Sequence, residues 1–363
     1  MTANGQARKC AYATLITRAS YLAGVVILAH TLKKHGSQYP LVVLYTPNLA
    51  EHALQALRFE SAESNIILRL CDVLLPPKDA KITLIAERFA DTWTKLRVFE
   101  LVGYDVVCYL DADMAVFRNA DSVFDRISHI PEGGLGANHS CVCNRDGDAW
   151  APEDWRRENC AYTSVTHPQA LTEPTQPGPE SPRTHTLLNG GMFLFRPSQE
   201  LWDDMLAEFN TTPLLSTFKF PDQDFLAHYY RDKWRALGWQ YNALKTMRYW
   251  HENIWRDEEV VTLHYIVDKP WASRIGANGM AGYKGRDGVT HQWWWDVYEQ
   301  WESDRWGSPH GGPEVVALVR RGVAPPIGAS VTDWTSGGEE DPDMLAIGGN
   351  VQGFAKNKLA HEE

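Results

Sequence analysis

No run of eighteen apolar residues occurs anywhere in this 363-residue chain, so the sequence offers no candidate membrane-spanning helix and no membrane partner is expected. The opening MTANGQARKC lacks the apolar centre of a secretory leader, which makes a cytoplasmic protein the expectation. Basic charge is scarce: 35 Lys and Arg stand against 46 Asp and Glu. The resulting net charge of -11 argues against nucleic acid as the main partner, because a phosphate backbone demands a basic surface. Cysteine is sparse as well. Of the six, Cys10, Cys71 and Cys108 lie in or beside apolar segments, as reduced core residues do and a disulfide framework does not. No G-x-G-x-x-G follows the first strand-like segment and no Walker A loop occurs, which removes weight from dinucleotide- and ATP-binding readings.

What is present is ample apolar material, 44% of residues, enough to bury a full core in one or two domains. The first third alternates two periodicities. Strand-like Ala11 to Thr17, Leu41 to Thr46 and Asn65 to Leu70 are separated by helix-like segments, the first ending near Gly36 and the second spanning Leu49 to Phe59. Alternating β and α predicts a mostly parallel sheet flanked by helices, with ligands bound beyond the carboxyl ends of its strands.

One such end carries charge. The apolar run Val106 to Leu110 stops at Asp111 and Asp113. Side chains two apart on an extended segment project the same way, so both carboxylates could share one hard divalent cation such as Mn²⁺ or Mg²⁺. A solvated turn would carry the same pair, so its surroundings must decide. Upstream, Asp91 could cap a helix carrying Lys95 one turn in; most lysines are solvated surface, and Lys95 matters only if it meets a phosphate.

From Ser140 to Thr186 the text changes to cysteines, charges and a proline-laden stretch, which predicts an insertion or lid whose Pro-rich half is mobile. His139, Cys141, Cys143 and Cys160 could form a zinc site, but C-x-C with one distant Cys lacks paired C-x-x-C spacing, and the spacing predicts unligated thiols. Beyond it, Asn189-Gly190-Gly191 opens an apolar strand where glycine would permit close approach of a ligand or backbone. Ser198 begins an amphipathic scaffold helix. Pro221-Asp222-Gln223-Asp224 opens another helix, where capping explains the carboxylates as well as chemistry does. Strand-like Val260 to Tyr265 contains His264, which with two aspartates would complete an O,O,N set for Mn²⁺, and Lys269 follows. The Trp-rich His291 to Trp301 reads as a helix packed on the core, and residues 307–363 read as a poorly ordered Gly/Pro/acid-rich tail.

Taken in order, AYATLITRASY, TKLRVFEL, YLDADM, LNGGMFLF, DQDFL and HYIVDKPW resemble family 8 glycosyltransferases. The resemblance implies a single Rossmann-like GT-A domain over residues 1–306, interrupted by the Cys/Pro-rich insertion at 140–186, and a retaining transferase that uses a UDP-sugar donor and Mn²⁺. DQDFL, YNALKTM and WWWDVY look more like galactinol synthases than glycogenins, implying a small hydroxyl acceptor such as a polyol. Two further readings stay open: a self-glucosylating initiator, and a nucleotide-sugar-binding protein without transfer activity. A homodimer is compatible with all of them. By motif matching, Leu15, Thr17 and Tyr21 would line the uridine and Lys95 would face the donor. Asp111, Asp113 and His264 would hold the metal, with Asp111 also near ribose or diphosphate. Lys269 would touch the diphosphate, and Asn189, Asp222 and Gln223 would surround the transferred sugar. Two departures stand out: Arg18 replaces a smaller polar residue of glycogenins, and the family's H-x-x-G-x-x-K-P-W is shortened here and lacks its glycine, leaving the loop over the diphosphate undetermined.

Overall fold

β-Branched and aromatic residues run together in β2 (Leu41–Tyr45) and β4 (Val106–Leu110), the strands that the sequence marks most plainly. In the computed structural model, which describes residues 8–77, 92–149, 151–330 and 334, the first third builds β1 (Cys10–Ile16), α1 (Leu22–Lys34), β2 (Leu41–Tyr45), α2 (Glu51–Ser64) and β3 (Ile66–Leu70). Gly36 lies just past α1 at φ +75°, as the end of that helix requires. Next come a 3₁₀ segment over Thr92–Glu100, β4 (Val106–Leu110), β5 (Met114–Val116) and β6 (Leu135–His139). Asp91 lies outside the described residues. The second half adds β7 (Leu188–Phe195), α3 (Gln199–Thr211), α4 (Pro221–Tyr229), β8 (Trp234–Ala236), β9 (Ala243–Leu244), α5 (Met247–Trp250), β10 (Thr262–His264), α6 (Gly288–Trp306) and α7 (Gly312–Arg320).

Seven strands form one sheet in the order β3-β2-β1-β4-β7-β6-β8, while β5-β10-β9 form a small second sheet. β3, β2, β1 and β4 run parallel; β7 is antiparallel to both β4 and β6, and β8 is parallel to β6. The sheet is therefore mixed but mainly parallel, with helices on both faces. Alternation along the strands divides the core: Tyr12, Val43, Cys108 and Leu194 pack with α1, α2, α6 and α7, while Ala13, Val42, Tyr109 and Phe193 pack with α3, α4 and the Thr92–Glu100 segment. Ser198 caps α3 by accepting from Leu201 N–H. No helix among the described residues is long and apolar enough to cross a membrane.

Two stretches differ from the sequence expectation, and one buried pair goes beyond it. Residues 312–323 are not tail: α7 buries Val315, Val316 and Val319 against the core, with Val323 beyond it, because its apolar residues recur at helical spacing. Residues 335–363 lie outside the described residues. The Pro-rich part of the insertion is fastened rather than loose. Gln176 donates to Ala236 O (3.0 Å) and accepts from Ala236 N–H (2.9 Å), so one side-chain amide takes both backbone groups on the outer side of β8. Finally, α2 and α6 are joined by a buried ion pair, Glu60 with Arg305 (2.7 Å), and Trp301 Nε1 also donates to the Glu60 carboxylate (2.9 Å). Neither residue type announces burial in the sequence.

Candidate active site

β1 and β4 run side by side in the same direction, paired up to Ala13 and Tyr109. Two residues further along each chain come Leu15 and Asp111, so the strand ends place the proposed uridine-lining residues level with the acidic pair. Thr17 follows, and Tyr21 stands before α1 with its ring edge-on to Trp271, centroids 5.9 Å apart. Trp271 Nε1 donates to Ser20 O (3.0 Å), which ties the segment after Lys269 to the start of α1. α1 then presses on the acidic turn itself. A Cβ at Gly24 would stand 2.2 Å from Ala112 O and 2.7 Å from the Trp271 ring, so only glycine lets the helix approach the residue between the two aspartates.

His264, the last residue of β10, lies opposite Met114 across the small sheet. Its Nε2 is 3.3 Å from Asp113 Oδ1 and 3.9 Å from Asp111 Oδ2. Ligand atoms of the three residues all lie within 4.8 Å of one another. The imidazole is oriented by a chain of amides. Gly191 N–H donates to Asn189 Oδ1 (3.0 Å), which also accepts from Asn242 Nδ2 (2.9 Å), leaving Asn242 Oδ1 to accept from His264 Nδ1 (2.9 Å). In the neutral ring Nδ1 thus carries the proton and Nε2 aims its lone pair at the carboxylates. Lone pairs facing lone pairs require a cation between them, so the donor set fits a hard divalent ion with a nitrogen ligand. Gly191 makes room for this: a Cβ there would lie 2.2 Å from His264 Cε1.

Two buried lysines hold the carboxylates. Lys95 Nζ bridges Asp111 Oδ1 (2.9 Å) and Asp222 Oδ2 (2.5 Å) and donates to Gly190 O (3.1 Å). Lys269 Nζ pairs with Asp113 Oδ2 and donates to Tyr265 O (3.0 Å). Burial alone would raise the Asp113 carboxyl, but the Lys269 ammonium beside it outweighs that and holds it well below the ordinary carboxylate range. Burial likewise pulls Lys95 and Lys269 down, and their aspartate partners more than compensate, so both remain firmly cationic. Three carboxylates against two ammonium groups leave one negative charge for a further cation. The Asp111 side chain, 25% exposed, is the acidic group open to solvent, whereas Asp113 is sealed.

The carboxylates of α4 divide their roles. Asp224 Oδ2 accepts from Lys219 N–H (2.8 Å) and Phe220 N–H (3.0 Å), which is the capping explanation. Asp222 instead turns to Lys95, and Gln223 Oε1 accepts from Gly190 N–H (3.1 Å). The shortened loop from His264 to Lys269 is also defined: Val267, at the place of the family glycine, takes φ +65°, an uncommon conformation for a β-branched residue. Lys245, fully buried with Asp287 (2.8 Å), donates to Asp268 O (2.9 Å) and holds this loop from beneath. YNALKTM carries Asn242 and Lys245 as motif residues, but the sequence assigns no role to them or to Gly24, because each acts through a partner elsewhere in the chain.

A family described as Glycosyl transferase family 8 matches residues 13–274. Galactinol synthase 1 of Solanum lycopersicum is 29% identical over 324 residues, covering 88% of this chain and 90% of that protein. Galactinol synthase 3 of Arabidopsis thaliana is 30% identical over 300 residues, covering 80% and 81%. Among solved structures, the glycosyltransferase GlyE of Streptococcus pneumoniae superimposes with a TM-score of 0.50 at 18% identity, covering 82% of this chain and 64% of that one, a likeness of GT-A fold.

Proposed function

The chain belongs to glycosyl transferase family 8, and on that premise we propose that it moves a hexosyl group from UDP-galactose or UDP-glucose to a hydroxyl of a small polyol. The convergence of Asp111, Asp113 and His264 between two buried lysines carries this reading. Galactinol synthases, its relatives by sequence, make the polyol acceptor the first to try.

Asp111, Asp113 and His264 would hold Mn²⁺ or Mg²⁺, which when bound supplies Lewis-acid stabilisation of the departing diphosphate. Leu15, Thr17 and Tyr21 would receive the uridine, Tyr21 by stacking. As the anomeric C–O bond to UDP breaks, negative charge gathers on the diphosphate, and Lys269 adds a fixed positive charge beside Asp113. The bond to the acceptor oxygen forms and that hydroxyl's proton leaves with UDP. Asp222 and Gln223, placed at the first turn of α4 with Asn189 close by, would face the sugar; Asp222 is available to stabilise or trap the electron-poor anomeric carbon. Lys95 keeps Asp222 and Asp111 apart from mutual repulsion.

The test is a UDP-release screen with Mn²⁺ across hexose donors, with and without myo-inositol, followed by mass spectrometry of the small-molecule fraction. A hexosylated polyol is the expected product. Hexose added to the chain itself would identify a self-glycosylating enzyme instead, and UDP-sugar binding without release or transfer would leave only a binding role.

A further inference from the structure

A second imidazole stands at the centre of a different donor set. Cys141 and Cys143 directly follow β6, Cys160 ends a short 3₁₀ turn over Arg157–Asn159, and His251 caps α5. His251 Nε2 lies 3.2 Å from Cys141 Sγ, 3.3 Å from Cys143 Sγ and 3.6 Å from Cys160 Sγ. The four ligand atoms all fall within 4.8 Å of one another. His139, the histidine nearest these cysteines in sequence, is elsewhere engaged, its Nε2 2.7 Å from Thr175 O. The imidazole that meets these sulfurs is thus His251, not His139.

Three thiols pointing at one ring nitrogen make poor sense without a cation. Nε2 has a single lone pair, so it can accept one S–H, and His251 is fully buried, with Cys143 and Cys160 nearly so. The distances have a simple explanation. Zn–S of about 2.3 Å and Zn–N of about 2.0 Å at a tetrahedral angle put sulfur and nitrogen about 3.5 Å apart. The three observed separations bracket that value.

We infer that Cys141, Cys143, Cys160 and His251 form a closed, structural zinc site that staples the 140–186 insertion to the segment after α5. Four protein ligands leave no open position, so the site holds structure and does no Lewis-acid work. On binding, the three thiols give up their protons to solvent and coordinate as thiolates. The staple joins parts already in contact: Asn253 donates to Tyr162 O (2.8 Å) and Val165 O (2.6 Å), and the Tyr162 ring meets His251 edge-on at 5.5 Å. Soft sulfur donors select zinc over Mn²⁺ or Mg²⁺, so the two metal sites do not compete for one ion.

The full chain, purified with reductant and without chelator, is assayed by plasma mass spectrometry. About one zinc per chain is expected, retained through a brief EDTA wash and released when an organomercurial blocks the thiols. Cys160→Ser and His251→Ala should lose the zinc. Should these variants fail to fold, wild-type protein produced with cobalt decides: tetrahedral thiolate coordination gives intense visible bands and sulfur-to-metal charge transfer, which the Asp-Asp-His set cannot produce. Wild-type protein with neither zinc nor the cobalt signature, or with a disulfide among the three cysteines, overturns the proposal.

Discussion

The molecule holds two imidazole-centred clusters, and their difference is instructive. Around His264 stand carboxylate oxygens, two lysines and a partly exposed aspartate; around His251 stand three sulfurs and no described lysine pairing. The first is supported by amides that fix the ring tautomer and leave one side toward solvent, while the second closes on itself. Hard donors with a free side suit an ion that must meet substrate oxygens, and soft donors with none suit an ion that only joins chain segments. On the proposed readings the same residue type would serve chemistry in one place and architecture in the other, with its neighbours deciding which.

The contrast breaks most directly at Asp113. Asp113→Asn keeps the shape but removes the charge that pairs with Lys269 and would hold the metal, and metal-dependent turnover should fall about 10³-fold or more while zinc content and circular dichroism stay unchanged. Unaltered turnover with Mn²⁺ would remove the oxygen-rich cluster from the chemistry. Gly191→Ala comes next: its Cβ would displace the His264 ring, and a shift of about 1 Å should cost about 10²-fold in kcat. Activity within twofold of wild type would show that the ring position is not critical. Asp222→Asn should lower kcat about 10- to 100-fold while leaving UDP affinity by calorimetry within about threefold. Equal losses in both would make Asp222 a partner of Lys95 alone. The smallest effect is Val267→Gly, which relieves left-handed strain but gives the unfolded chain more freedom, for a net gain of about 1 kcal/mol or less in denaturant unfolding. A loss of stability there would show that the valine packing outweighs the backbone strain.

Local pattern made much of this legible. β1, β2, β3 and β4 begin and end within about two residues of where composition and periodicity put them, because each is a short, mostly apolar run. The acidic pair at the end of β4 followed from the same pattern. What the sequence concealed depends on distant partners. Nothing near Asn242 tells that it orients His264, and nothing near His251 tells that three cysteines 91 to 110 residues away surround it. Asp222 and Asp224 look alike on paper, and only packing sends one to a lysine and the other to a helix cap. Composition misjudged residues 312–323, where scattered apolar residues prove sufficient once α2 and α6 offer a surface to bury them against.

The grip of Gln176 on Ala236 has a consequence for association between molecules. β8 is the last strand on its side of the sheet, the place where an unprotected ladder invites a second chain to dock by strand addition. With both outward groups of Ala236 already taken, a visiting strand would find a rung missing at the end of β8, where the proline-rich flank also lies. The insertion thus occupies part of the sheet edge that strand addition would need.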